Sequence, residues 1–165
     1  MRNHLHFICP SDHLETVIND SFKQHNYYIT SPGNSISFDS EKISEIKEMI
    51  QEKCIDQISF TLSDSNRFIM DGMEKKSFSD IEGLCSFYER VSKQKAYSDK
   101  MWQIADHQFF VLSYYIHSKI IELKLCLQRV GAKPIPIQGM VYNRNEQDFY
   151  GIYPNLLCRK NFSLN

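Results

Sequence analysis

Two short polar segments follow apolar, strand-like segments and contain the residues best suited to chemistry. Residues 9–13 (CPSDH) follow His4–Ile8, and residues 63–67 (SDSNR) follow Gln57–Leu62. Their thiol, carboxylate, imidazole and guanidinium groups are the types that bind metal ions or small anions. In open parallel α/β sheets, ligands bind outside the carboxyl ends of neighbouring strands, so we expect the functional site in these two turns.

The elements around these turns alternate between strand and helix in the first part of the chain. Apolar residues at helical spacing predict a helix behind the first turn and a second helix over residues 40–50, on either side of a short strand at Tyr27–Thr30. Asp12 and Ser40 are the predicted N-caps of these two helices. Helical crossovers between strands imply parallel pairing with right-handed connections.

The second part of the chain is predicted to be mainly helical, with two strands at its end. Residues 81–91 have helical spacing, a long helix runs over Ser98–Val130 to Gly131, and strands follow at Ile135–Tyr142 and Asp148–Ile152. The long helix is apolar on more than one face, which favours a homo-oligomer interface. The alternative is that the rest of the domain wraps it.

Length and composition predict one α/β domain over residues 1–165, with three layers (α/β/α) and a mostly parallel sheet of 4–5 strands. The formal net charge of −1 disfavours nucleic-acid and membrane partners. Five cysteines form no CxxC pair, and four of them stand in apolar surroundings, which is typical of reduced core thiols. The apolar run at the start of the chain is too short for a secretory signal, and no stretch approaches a membrane span, so we predict a cytoplasmic location.

The order of elements and four motifs resemble the β-class carbonic anhydrases over Leu5–Tyr150. CPSDH stands where that family has Cys-x-Asp-Ser-Arg, and SPGN where it has Asn-Ala-Gly-Asn. LSDSNR stands in place of Gly-His-x-x-Cys-Gly, and QGMVYN in place of His-Gly-Trp-x-Tyr-Asp. The resemblance implies the family's fold and, in principle, its hydration of carbon dioxide at a zinc ion.

The resemblance also implies which residues would hold that zinc, and most of them differ here. The family uses two cysteines and a histidine. Cys9 matches the first cysteine, whereas Ser63 falls on the histidine and Asn66 on the second cysteine. Ser11 and His13 fall on the family's Asp-Arg dyad. We therefore expect no catalytic residues and no cofactor, because without the ion nothing generates hydroxide at neutral pH.

One alternative keeps the metal. Cys9, His13 and Asp64 could together hold zinc in a divergent carbonic anhydrase that uses non-standard ligands. The two hypotheses are therefore a catalytically inactive, oligomeric module that binds a small anion or acts in regulation, and a zinc-dependent hydratase. A purely structural subunit is a third possibility.

In the first hypothesis the two turns form a polar pocket with the turn at Gly33-Asn34. Backbone N–H groups there, with Arg67 or a protonated His13, would hold an anion such as bicarbonate, phosphate or a carboxylate. The alternative is that these side chains only cap helices, which is a sufficient role for Asp12 and for Ser63 or Asp64. The predicted pocket consists of Cys9, Ser11, Asp12, His13, Gly33, Asn34, Ser63, Asp64, Asn66 and Arg67.

Two further groups have both functional and structural interpretations. His4 and His6 share one face of a strand, as metal ligands can, but without a third ligand we expect edge or surface histidines. Cys9 next to a helix N-terminus could be a reactive thiol, but buried at a strand end it would be inert, and we favour the buried interpretation.

Overall fold

The computed structural model describes residues 2–74, 87–93, 96 and 107–152 of the chain. Its strands are β1 Asn3–Ile8, β2 His25–Thr30, β3 Gln57–Ser63, β4 Ile137–Asn143 and β5 Asp148–Gly151. Its helices are α1 Glu15–Ser21, α2 Ser40–Glu52, α3 Arg67–Met73 and α4 His107–Arg129. Residues 87–93 are also helical, and short 3-10 turns lie at Pro10–Asp12 and Pro32–Asn34.

The five strands form one sheet in the order β2-β1-β3-β4-β5. The pairs β1–β2, β1–β3 and β3–β4 are parallel, and β5 runs antiparallel to β4. The predicted α/β class and mostly parallel sheet are therefore confirmed. Because β1 and β3 are neighbours and parallel, their carboxyl ends meet at one edge of the sheet, as the site prediction required.

Apolar side chains pack on both faces of the sheet. On one face, alternate β1 residues such as Leu5 and Phe7 join α2 and α4 in the larger core. On the other face, Ile8 packs with Leu14, at the start of α1, and with Ile18 in a smaller cluster. Helices thus cover both faces, which explains why β1 and β3 are almost continuously buried.

Helix α4 lies close against the sheet at a glycine of β4. A Cβ atom placed on Gly139 would come within 2.5 Å of the Ile116 Cγ2 atom. The absence of a side chain at Gly139 therefore allows the helix to approach the strand. Gly131, with φ of +65°, follows α4 where the sequence predicted that the helix stops.

The predicted caps of the first two helices are wrong. Helix α1 has Leu14 at its N-cap without a side-chain bond, while the Asp12 carboxylate bonds elsewhere. For α2 the cap is Asp39, one residue earlier than predicted, whose Oδ1 accepts the Lys42 N–H at 2.8 Å. Ser40 is instead the first helical residue.

The long helix is only partly within the described residues. Residues 98–106 of the predicted span, and 81–86 of the preceding helix, lie outside them. On α4, Val111, Tyr115 and Leu123 are buried, whereas Ile121 and Leu125 are 45% and 48% exposed.

No helix in the described ranges is long and apolar enough to cross a membrane. Among the described cysteines, Cys9 is buried, Cys126 is half-buried and Cys54 is exposed.

His4 and His6 are buried rather than at an edge or surface, because helix α1 and Phe22 cover their face of β1. Their rings stack with centroids 3.9 Å apart. The His6 Nε2 atom lies 3.0 Å from Asn26 Oδ1, which can only accept its N–H, and Nδ1 lies 2.8 Å from the Ser59 hydroxyl, which donates to it when the ring is neutral. Burial lowers the pKa of His4 to about 4, and burial together with His4 lowers that of His6 to about 3.

We expect the buried pair of His4 and His6 to make the fold less stable in mild acid. Below about pH 6.5 the unfolded chain takes up protons that the buried rings cannot accept, so the free energy of unfolding falls as the pH falls toward 4. We expect a slope of up to about 1.4 kcal/mol per pH unit for each histidine, measured by urea denaturation between pH 4.5 and 8.

The variant His4→Phe keeps an aromatic ring stacked on His6 but removes one titrating group. The free energy of unfolding should therefore depend less steeply on pH. The matched control is His25→Gln, which changes an exposed histidine of β2 and should leave the slope as in the parent chain. Equal slopes for His4→Phe and the parent would contradict the assignment.

Candidate functional site

The turns after β1 and β3 are joined by the side chain of Asp12. Its Oδ2 accepts the backbone N–H of Ser63 at 2.8 Å. The Asn66 amide Nδ2 donates to both carboxylate oxygens of Asp12, each at 2.9 Å. Asp12 is 2% exposed, and Ser63 and Asn66 are fully buried. The three residues therefore form a closed hydrogen-bonded unit at the carboxyl edge of the sheet.

The charge of Asp12 is compensated mainly by hydrogen bonds. Burial raises the pKa of the Asp12 carboxyl above its ordinary value, and the bonds from Ser63 and Asn66 oppose that shift. Arg144 adds a positive charge nearby, and its Nη2 donates to the backbone oxygen of Asp12 at 2.6 Å. Arg144 Nε also donates to Ser63 Oγ at 3.0 Å, which ties the turn after β4 to both others.

Asn66 has a second structural role as the N-cap of α3. Its Oδ1 accepts the Ile69 N–H at 3.1 Å while its Nδ2 holds Asp12. Both ends of the amide are thus engaged. The N-cap of this helix is therefore Asn66, whereas the sequence analysis considered Ser63 or Asp64 for that role.

Cys9 is fully buried and accepts a hydrogen bond on its sulfur. The backbone N–H of Gly33 donates to Cys9 Sγ at 3.0 Å, and Ser11 Oγ lies 3.1 Å from the same atom. Gly33 has φ of +57°, and a Cβ at this position would lie 2.8 Å from the Phe87 ring. Glycine is therefore required where the backbone turns its N–H toward the thiol, and the favoured buried interpretation of Cys9 agrees with this geometry.

Asn34 fixes the same turn to the sheet. Its Nδ2 donates to the backbone oxygens of Phe7 and Thr61, at 3.2 and 3.1 Å. The Asn34 backbone oxygen accepts the Tyr115 hydroxyl at 3.0 Å, and the Asn34 backbone N–H donates to the backbone oxygen of Ser31. The N–H groups of Gly33 and Asn34 are both used within the fold, so the prediction that they bind an anion is wrong.

The remaining predicted residues lie at the rim. Ser11 and Asp64 are half-buried, while His13, in the left-handed region with φ of +52°, and Arg67, the first residue of α3, are exposed. The predicted open polar cleft is therefore a buried hydrogen-bonded centre with a few exposed side chains around it, because its polar groups bond to one another rather than face solvent.

An open cavity does lie beside this centre, next to the turn that follows β4. Its volume is about 400 Å³. The residues around it are Asp64, Ser65, Gln108, Phe109, Val141, Asn143, Arg144, Asn145 and Tyr150. The Asn143 Oδ1 atom accepts the N–H groups of Asn145 and Glu146, so what Asn143 can offer a ligand is its amide N–H. The cavity thus combines a guanidinium with neutral hydrogen-bond donors.

The donors at the centre do not fit zinc. Asn66 presents a neutral amide already bonded at both ends, and Ser63 presents a hydroxyl bonded to Arg144, neither of which replaces imidazole or thiolate. Within the described part of the chain, no group of three or more His, Cys, Asp or Glu side chains is placed to hold a metal ion. The alternative set of Cys9, His13 and Asp64 is accordingly not assembled as a site.

Sequence reasoning missed two residues of this region. Arg144 follows β4, the neighbour of β3, so the same strand-end argument that selected the first two turns applies to it. Gln108 donates through Nε2 to the backbone oxygen of Asp64, a contact that joins α4 to the second turn. Nothing in the spacing of the long helix indicated that contact.

Comparison with solved structures identifies the fold as that of the β-carbonic anhydrases. A mutant of CafD from Aspergillus fumigatus superposes with a TM-score of 0.73 and 10% identity, over 93% of this chain and 90% of that one. CafA of the same fungus gives 0.69 and 11%, over 91% and 74%. A β-carbonic anhydrase of Sordaria macrospora, described as tetrameric, gives 0.65 and 9%, over 92% and 80%. No protein-family model and no curated protein matches the sequence.

Proposed function

We propose that this chain is a carbonic-anhydrase-fold module that lacks zinc-dependent hydratase activity and binds a small anion. The observation that carries the proposal is the closed unit of Asp12, Ser63 and Asn66, which occupies the place where the resemblance would put two zinc ligands. Without the ion, bound water keeps a pKa far above neutral and no hydroxide forms to attack carbon dioxide.

The first test is the zinc content of untagged protein grown with zinc and purified without chelator. We expect far less than one zinc per chain by elemental mass spectrometry, and carbon dioxide hydration indistinguishable from the buffer in stopped-flow assays. The matched variants are Cys9→Ser and Asp64→Asn, which remove two donors of the alternative site.

One zinc per chain, lost in either variant, would contradict the proposal and support a divergent hydratase. Hydration activity that follows the zinc content would do the same.

The anion is proposed to bind in the cavity beside Arg144. Two bonds, to Ser63 Oγ and the Asp12 backbone oxygen, hold this guanidinium in place through Nε and Nη2 and use two of its five N–H donors. A carboxylate or phosphate could accept bonds from the guanidinium and from the Ser65 hydroxyl and Asn143 amide. Asp64 also lines the cavity and limits the affinity.

Replacement of this guanidinium tests the site. For Arg144→Gln we expect the affinity for bicarbonate or phosphate at low ionic strength to fall about tenfold, as the loss of one charge-assisted contact predicts. Isothermal titration measures it, with Arg129→Gln, an exposed arginine at the end of α4, as the control. An unchanged affinity in Arg144→Gln would contradict the assignment, provided that thermal unfolding shows the variant folded.

Self-association through the long helix, near residues 98–130, is the second part of the proposal. Ile121 and Leu125, one turn apart on α4, are nearly half exposed, a surface that an isologous helix contact would cover. The tetramers described for Sordaria macrospora add support. The proposal also includes a cytoplasmic location and a single domain over residues 1–165. It includes no nucleic-acid or membrane partner, which agrees with the near-zero net charge.

Light scattering coupled to size-exclusion chromatography measures the association. We expect an oligomer for the parent chain and a smaller species for Leu125→Glu, since a buried interface excludes an unpaired charge. The control Gln128→Glu adds the same charge at an exposed polar position of the helix. A monomeric parent chain would contradict this part of the proposal.

A further inference from the structure

A second cavity, separate from the strand ends, lies between α4 and the loop before α2. Its volume is about 110 Å³, large enough for an ion of a few atoms. It is lined by Ser35, Ile36, Ser37, Phe87, Arg90, Tyr115, Lys119 and Glu122. None of these residues belongs to the predicted pocket or to the cavity beside Arg144.

The feature that distinguishes this cavity is a buried lysine. Lys119 is 4% exposed, whereas lysine side chains are almost always at the surface. Its Nζ donates to the Ile36 backbone oxygen at 2.8 Å and to Glu122 Oε2 at 3.1 Å. A lysine ammonium has three N–H donors, of which these two bonds use two, and the Phe38 ring adds a cation–π contact with its centroid 5.3 Å from Nζ. A ligand oxygen is a stronger acceptor for the third N–H than this ring.

The charge around Lys119 is incompletely balanced. Arg90 Nη1 also bonds Glu122 Oε2, at 3.2 Å, so a single carboxylate serves two cations among the residues lining the cavity. Burial lowers the pKa of Lys119 below its ordinary value, and Glu122 opposes that shift. A further negative group in the cavity would favour the charged form of the lysine, because an opposite charge offsets the cost of burial.

We propose that the cavity between Lys119 and Arg90 binds a small oxyanion or carboxylate. The ion accepts the third N–H of Lys119 and a guanidinium N–H of Arg90, whose side chain is half exposed at the cavity. Ser35 and Ser37, which also line the cavity, supply neutral donors. Glu122 competes with the ligand for both cations and so sets the affinity.

This inference does not depend on the proposed function, because it uses different residues and a different cavity. A purely structural interpretation of Lys119 is that it only ties the loop at Ile36 to α4. The two interpretations differ in what Glu122 does: in a structural tie its removal weakens the fold, and in a binding site its removal also strengthens binding of an added anion.

The test is titration of the full chain with inorganic phosphate and with acetate, followed by calorimetry and by the rise in melting temperature. Chloride at equal ionic strength is the reference. We expect saturable binding that is about tenfold tighter in Glu122→Gln, since that change removes the competing charge. In the Arg144→Gln background, which removes the anion site of the proposed function, we expect it to be about tenfold weaker in Arg90→Gln and lost in Lys119→Met.

Lys124→Met, which changes an exposed lysine of the same helix, is the matched control and should bind as the parent chain does. Arg144→Gln should leave this site unchanged, so failure here and failure of the proposed function are distinguishable. If Lys119→Met fails to fold, the opposite changes in Glu122→Gln and Arg90→Gln still decide.

Three results would overturn the proposal. They are no binding by the parent chain, parent-like binding by a folded Lys119→Met, and equal affinities for the parent chain, Glu122→Gln and Arg90→Gln.

Discussion

The carboxylate of Asp12 connects the ends of the two central strands, and the arrangement of the whole candidate site depends on it. It receives the Ser63 N–H from the end of β3 and the Asn66 amide from the start of α3. Asn66 in turn caps that helix. A buried carboxylate is stable only when such donors surround it, so these residues are interdependent.

The cationic side chains lie outside the hydrogen-bonded unit of Asp12, Ser63 and Asn66. Arg144 reaches the centre from the turn after β4 and remains beside an open cavity, while Lys119 and Arg90 lie in another cavity against α4. The polar side chains thus have two different arrangements. At the strand ends, Asp12, Ser63 and Asn66 hydrogen-bond one another, whereas in the two cavities cationic side chains lie beside open space.

Most of the fold could be predicted from the sequence because local patterns determine it. The strands at β1 and β3 and the stripe of Ile43, Ile46 and Ile50 on α2 have periodicities that tertiary contacts reinforce. The ends of β4, by contrast, differ from the prediction by one or two residues, as is usual where a pairing partner and not the periodicity determines where a strand starts.

The errors concern long-range contacts. A local pattern suggested that Asp12 caps α1, but its partners lie more than fifty residues away on β3 and α3. The N–H of Gly33 was expected to face a ligand, and a thiol twenty-four residues earlier accepts it instead. Likewise, nothing in the alternation of His4 and His6 indicated that Phe22 would pack against both rings, or that Asn26 and Ser59 would hydrogen-bond His6.

The pairing of β3 with β4 also bears on how the chain is made. Ile58 pairs with Ile137, so during synthesis the middle strand leaves the ribosome long before the strand that completes its side of the sheet. Until then, an apolar strand with unsatisfied backbone groups is available for pairing with other chains. The nascent protein therefore needs either rapid pairing of β3 with β4 once β4 emerges, or protection of β3 by a chaperone until then.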